Sequence, residues 1–267
     1  MKPGGKPRDV ELESTAQGPE RSSIRPSDAK TAGHSSKAQE AGESGWENFI
    51  SNVKTIVGAV LIAIVIRIVL VEVFEIDGPS MEPTLLHGDR IVVAKYPFGL
   101  FLPFDNEAIF TWGAPDPGDV VIVQSPLDEE AIVKRVVGVE GDTIEVRDSI
   151  VYRNGKAVTA KDQGPCRQAE QRDLDPYCHV YSEELGPRHY RTSSSSLRRD
   201  RSVPSTIVPK GHVFVMGDHR DHSNDSTNPA LGPVPVSRVK GRALFVYLSW
   251  SQKDEWIRTD RIGTSVD

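Results

Sequence analysis

Cysteine is almost missing from this chain. Cys166 and Cys178 are the only two among 267 residues, so neither a four-cysteine zinc site nor a disulfide-dense scaffold can be built from it. An excess of positive charge is missing too. Lys and Arg number 32 against 38 Asp and Glu, a net charge of −6, which speaks against nucleic acid as a partner. Apolar residues make up 37% of the chain, with 22 glycines beside them. That is too polar for a membrane protein of many spans and too apolar for wholesale disorder. Internal repeats are not evident. A length of 267 residues suits one large or two small domains.

What is present begins with a polar tail. Residues 1–49 are rich in Ser, Gly, Pro, Lys and Glu and hold scarcely any large apolar side chain to offset the entropy of ordering, so the segment reads as disordered. From Thr55 the chain turns to TIVGAVLIAIVIRIVLV. With its flanks this predicts a transmembrane helix over residues 50–75, about the length that a roughly 30 Å hydrocarbon layer requires. The run starts too late and extends too far for a cleavable secretory signal. It is apolar on every face, unlike the single stripe of a soluble helix. Arg67 lies near the far end, where its stem snorkels to the interface. Lys54 precedes the span and the first basic residue beyond it is Arg90, which places the N-terminus inside and residues 76–267 outside the cytoplasm. There Cys166 and Cys178 would pair or remain as two thiols on a loop.

Beyond residue 76 the pattern is short runs of branched residues broken by Gly, Pro and Asp: RIVVAKY, GDVVIVQS, AIVKRVVGV, DTIEVRD, IVYRNGKAV, HVFVMGD and RALFVYLSW. They read as strands, with Asn154-Gly155 as a hairpin turn. No long helices alternate with them, so the fold class is mostly β, an antiparallel catalytic sheet with an inserted subdomain. The core is assigned to 76–142 and 212–267. The insertion is assigned to 143–211, where the strand pattern lapses after about Ala160 and RTSSSSLRRDRS forms a flexible loop.

Three polar segments carry possible chemistry: GPSMEPTL at 78–85, AIVKRVVGVEGD at 131–142 and GDHRDHSNDS at 217–226. Each alone has a bland reading, with Ser80 as a turn serine, Lys134 as a solvated strand lysine and the third segment as a polar loop. Strand alternation puts Lys134 on the face opposite to Arg135, so one of the two faces the core. If that one is Lys134, desolvation lowers its pKa from about 10.4 towards 8 and makes it a usable base. A neutral lysine within reach of a serine hydroxyl activates it as a histidine does elsewhere. Two alternatives stay open for the histidines: a metal site from Asp218, His219, Asp221 and His222, or a Ser-His-Asp triad of Ser80 with His219 or His222.

Taken together and in order, the anchor, SMEPTL, GDRIVVAKY, KRVVGVEGD and the GDHRDHSNDS segment resemble the type I signal peptidases, membrane-anchored serine proteases with a Ser/Lys dyad. The resemblance implies Ser80 as nucleophile and Lys134 as general base, with the Ser80 backbone N–H as oxyanion donor. It further implies Met81 in the substrate groove, Ser223 orienting the lysine, and Asp218, Arg220 and Asp225 holding the loop. Neither metal nor cofactor is implied. Departures are Gly78, where some members carry an oxyanion-hole serine, Thr227 in place of an arginine, and His219 and His222 in place of asparagines. The expected function is removal of signal peptides from exported preproteins at the outer surface of the plasma membrane. Expected partners are those signal peptides and membrane lipid, and the sequence carries no signal of oligomeric state. The rivals are an inactive tethered peptide-binding relative and a peptidase that cuts itself or one dedicated partner. The aromatic run YPFGLFLPF, with Ile109, Phe110 and Trp112, is either core or a surface that dips into the outer leaflet.

Overall fold

A 35-residue helix, α1 (Ser36–Leu70), opens the described structure. The computed structural model describes residues 36–101, 105–147, 150–167, 171, 175–195, 202–251 and 256–266. The chain divides into two compact units, residues 1–56 and 57–267. In α1 the 22 residues Gly45–Ile66 are long and apolar enough to cross a membrane, and the most apolar part of this stretch is not buried against protein. At about 1.5 Å per residue this stretch is roughly 33 Å long. Two boundaries differ from expectation. The helix starts inside the polar tail, at Ser36, and it stops at Leu70 instead of residue 75. Val71–Glu75 form strand β1 because VEVFE gains a full ladder against the next strand, from Val71↔Ala94 to Glu75↔Arg90. The side chain of Arg67 lies outside the described residues.

The strands that follow are antiparallel neighbours. In chain order they are β2 (Asp89–Ala94), the short hairpin β3 (Gly99–Leu100) and β4 (Phe110–Thr111), β5 (Val120–Gln124) and β6 (Ala131–Val139). Next come β7 (Thr143–Arg147), β8 (Ile150–Arg153), β9 (Lys156–Ala157), β10 (Thr159–Pro165), β11 (Cys178–Leu185), β12 (Arg188–Ser195) and β13 (Val203–Ile207). The series ends with β14 (His212–Met216), β15 (Val234–Pro235), β16 (Val239–Ser251) and β17 (Trp256–Ile257). All seven branched runs of the sequence fall in these strands.

The main sheet has the order β1-β2-β16-β5-β6-β14-β15, with β17 added to β16. Strands β6 and β14 pair directly, Val213 opposite Val139 and Met216 opposite Arg135. The chain between them therefore leaves this sheet and returns to it. That excursion holds two small sheets, β13-β7-β8-β9 and β10-β11-β12. Asn154 and Gly155 both have positive φ, 54° and 75°, as a two-residue turn joining β8 to β9 requires.

The flexible loop expected at 191–202 needs correction over its first residues. Four strands, β10 to β13, form where the branched pattern lapses. Their ladders join polar segments whose buried apolar side chains are few, Cys178, Val180, Leu185 and Tyr190, beside the buried polar Glu183, Thr192, Ser193 and Ser194. Residues 191–195 of the expected loop complete β12, and 196–201 lie outside the described residues.

Both faces of the main sheet are covered. One apolar cluster holds Ile91, Val93, Val120, Ile122 and Met81, and a second holds Val121, Val123, Val136, Val213 and Val215. Alternate residues of β5 thus enter opposite clusters, as the pleat dictates. A third cluster joins Val137, Phe214 and Met216 to Ile144, Val146, Leu185 and Tyr190 of the excursion.

Candidate active site

Ser80 lies in the turn between β1 and β2, and the turn is held by its own backbone. The Glu82 N–H donates to Pro79 O at 3.0 Å and the Leu85 N–H to Met81 O at 2.9 Å. Gly78, just before it, has φ +109°, a conformation that favours glycine. Its N–H donates to His87 Nδ1 at 3.3 Å, and a Cβ there would meet nothing within 4 Å. Among the described residues no acceptor takes the Ser80 N–H.

Lys134 reaches this turn from the middle of β6. Its Nζ stands 2.9 Å from Ser80 Oγ and 2.9 Å from Val133 O. Only 3% of Lys134 is exposed. Burial is the main influence on its pKa, pushing it from 10.5 down to about 8 against the opposing pull of Asp225 and Asp218. Roughly a tenth of the amine is then neutral at pH 7. The expectation that only one of Lys134 and Arg135 is buried fails, since Arg135 is 1% exposed. The reason is that β6 is covered on both sides. Arg135 meets Asp218 through two hydrogen bonds of 2.8 Å, donates to Gly118 O and lies over the Tyr190 ring.

The third segment, after β14, packs against Ser80 at closest range through Gly217. A Cβ on Gly217 would lie 2.4 Å from Ser80 O and 2.3 Å from Ser223 Oγ, so this position tolerates only glycine. His219 holds two consecutive carbonyls of the serine turn. Its backbone N–H donates to Ser80 O at 3.1 Å and its ring Nδ1 lies 3.3 Å from Pro79 O. Burial, with the nearby His222, pushes the His219 pKa down to about 4. Its ring also lies against that of His222, with centroids 4.5 Å apart and the planes tilted by 37°. The hydroxyl that Lys134 contacts thus has no histidine partner among the described contacts.

The loop is tied down by charge and by hydroxyls. Asp225 accepts from the Gly217 N–H at 3.0 Å, the Thr227 N–H at 3.1 Å and the Thr227 hydroxyl at 2.6 Å. Arg220 is buried against Glu183, whose carboxylate also accepts from Tyr190 and Thr192 hydroxyls. Desolvation opposes the Arg220 charge, but Glu183 outweighs it and raises the pKa. The backbone joins in as well: the Ser193 N–H donates to Asp218 O and the Arg220 N–H to Ser193 O, both at 2.9 Å.

Met81, expected in the substrate groove, is 1% exposed and packs with Ile76 and Leu85. Sequence reasoning missed Glu183, Tyr190 and Thr192, because a polar hairpin gave no sign of folding over the site. Cys166 and Cys178 are disulfide-bonded, with Cα atoms 5.3 Å apart. The aromatic run divides: Phe98 and Phe101 are buried, while Ile109, Phe110 and Trp112 are exposed. Phe104 lies outside the described residues.

Residues 49–250 match the family model described as signal peptidase, peptidase S26. Signal peptidase I of Pseudomonas fluorescens is 36% identical over 211 residues, covering 74% of this chain and 72% of that protein. Signal peptidase I of Bacillus licheniformis is 30% identical over 200 residues, covering 75% and 89%. The chain belongs to the signal peptidase I family. It is a serine protease family of bacterial type, and the apolar helix α1 fits a membrane anchor in such a protein. Set beside the signal peptidase I motif described above, Thr227 supplies a hydroxyl to Asp225 where an arginine would supply a charge. His219 takes the place of an asparagine and still bonds the serine turn.

Proposed function

We propose that Ser80 is the nucleophile and Lys134 the general base of a Ser/Lys endopeptidase that removes signal peptides from exported preproteins. The 2.9 Å contact between Lys134 Nζ and Ser80 Oγ, made by an amine with a pKa near 8, carries the reading. Neutral Lys134 takes the Ser80 proton as Oγ attacks the scissile carbonyl carbon. The bond from that carbon to the leaving nitrogen breaks, Lys134 returns its proton to the amine, and the acyl-enzyme remains. Lys134, again neutral, then takes a proton from water, which attacks the ester and releases the signal peptide with restored Ser80. The Ser80 N–H stabilises the oxyanion. Gly78 brings no second side-chain donor, and its open flank leaves room for a water there.

Asp218, Arg220 and Asp225 keep the loop in place, and Ser223, close to Gly217, orients Lys134. Shallow pockets select alanine-like side chains before the cut. Helix α1 anchors the chain in the plasma membrane with its N-terminus in the cytoplasm and residues 76–267 outside, where an oxidising milieu supports the disulfide. Phe110 and Trp112, 66% and 61% exposed, meet the outer leaflet as interfacial aromatics do. A contact of hydrogen-bond length between the two residues speaks against an inactive tethered relative.

Incubation of the full-length protein in detergent with a preprotein whose signal ends in Ala-x-Ala tests the reading. Sequencing of the product is expected to place the new N-terminus directly after the second alanine. A cut elsewhere, or none, overturns it.

A further inference from the structure

The turn that carries Ser80 is bound by two histidines. His219 meets it at two carbonyls, those of Pro79 and Ser80. Just ahead of these, the Gly78 N–H donates to His87 Nδ1 at 3.3 Å. Of the two residues between Asp77 and Ser80, Pro79 has no N–H, so Gly78 carries the one backbone donor there, and His87 takes it. Packing does not fix Gly78. It has φ +109°, and a Cβ on it would meet nothing within 4 Å. Glycine adopts that conformation at no steric cost but has the greatest backbone freedom to lose, so the bond to His87 is the restraint that packing does not supply.

His87 itself stands on a rigid base. Its carbonyl accepts from Arg258 Nη2 at 2.6 Å. Gly88, the next residue, donates to Ile76 O at 2.9 Å and accepts from the Trp250 N–H at 3.0 Å. A Cβ on Gly88 would run into the Trp250 carbonyl, so glycine is what lets β16 lie this close. The ring nitrogen that holds Gly78 also faces a competitor, Asp77 Oδ1, at 3.2 Å. One nitrogen cannot serve both partners. Without a proton Nδ1 accepts from Gly78, and with one it donates to Asp77.

We infer that His87 is a positioning residue for Ser80, its Nδ1 fixing the backbone two residues before the nucleophile by accepting from the Gly78 N–H. The inference rests on Ser80 being the nucleophile. His87 touches no reacting atom and acts through Gly78 and Pro79. The proline ring locks φ at residue 79, so a restraint on Gly78 reaches Ser80 through one stiff residue.

Two measurements on the full-length chain in detergent test it: cleavage kinetics with the Ala-x-Ala preprotein, and hydrogen exchange of the Gly78 amide by NMR. In His87→Leu, which fills the space without an acceptor, kcat is expected to fall about tenfold with KM changed less than about twofold. The Gly78 amide exchanges about tenfold faster or more. Asparagine places its Oδ1 where the imidazole has Nδ1, so His87→Asn recovers most of both, which a folding defect at this position would not allow. Asp77→Ala removes the competing carboxylate and keeps both near wild type. The inference is overturned if His87→Leu cleaves as fast as wild type, if His87→Asn loses as much as His87→Leu, or if Asp77→Ala is equally impaired. A wild-type protein that does not cut the preprotein overturns the reading of Ser80, and this inference with it.

Discussion

Arg135 and Asp218 form a two-hydrogen-bond ion pair with both side chains 1% exposed, one residue along β6 from Lys134. Each charge depends on the other, because an ion left alone in that setting has no water to turn to. Arg135→Met is expected to destabilise the folded chain by about 3–5 kcal/mol. Adding Asp218→Leu recovers much of the loss. Chemical unfolding followed by tryptophan fluorescence measures both. A loss below about 1 kcal/mol for the single variant contradicts the assignment.

With Lys134 as the proposed base, activity is expected to follow its neutral fraction, because burial lowers its pKa from 10.5 to about 8. Below that value each unit of pH multiplies the free base about tenfold, so kcat/KM rises about tenfold from pH 6 to pH 7 and levels off above pH 8. A profile already flat at pH 6 would assign the base to another group.

The same shift links stability to pH. The unfolded amine holds its proton up to about 10.5 and the folded one only up to about 8. Between these values the unfolded state binds more protons, so stability rises with pH there. Below pH 8 the burial penalty is present in full, and it fades as pH approaches 10.5. Lys134→Met is therefore expected to be inactive yet more stable by about 1–3 kcal/mol at pH 7, an advantage that disappears near pH 10.5. Thermal unfolding at several pH values is the check, and an advantage that does not change with pH counts against the buried amine.

His219 contacts the turn that carries Ser80 through its ring, 3.3 Å from Pro79 O, and through its backbone bond to Ser80 O. His219→Ala keeps the backbone bond and loses the ring. We expect kcat to fall about tenfold with KM nearly unchanged, since a small displacement of the nucleophile costs rate more than binding. His219→Asn, which restores a short donor, recovers most of it. Equal losses in the alanine and asparagine variants would show that the ring does not position Ser80.

Much of this was legible in the sequence, for identifiable reasons. Branched runs such as VVIVQ and HVFVM suit strands and all seven form them, these two being buried almost throughout. Ser80 and Lys134, 54 residues apart, meet because one occupies a turn next to β2 and the other the strand β6 of the same sheet. What stayed hidden depends on distant partners. Nothing local in RHYRTSSS tells that Tyr190 lies over Arg135 or that Ser193 bonds the Asp218 loop. Alternation along β6 suggested one buried cation where there are two, because it does not reveal that the excursion covers the second face. Met81 likewise follows the nucleophile in sequence but enters the core. The end of α1 was misplaced because valine and phenylalanine suit a membrane helix and a strand alike.

The central claim is that a neutral Lys134 activates Ser80. Its most direct measurement is the single-turnover cleavage rate of a preprotein ending its signal in Ala-x-Ala, by wild type, Ser80→Ala and Lys134→Ala at pH 8. The account predicts that each variant, folded as judged by its unfolding transition, loses about a thousandfold or more in rate. A Lys134→Ala enzyme within about tenfold of wild type would contradict it, since removing a catalytic base costs at least about a hundredfold.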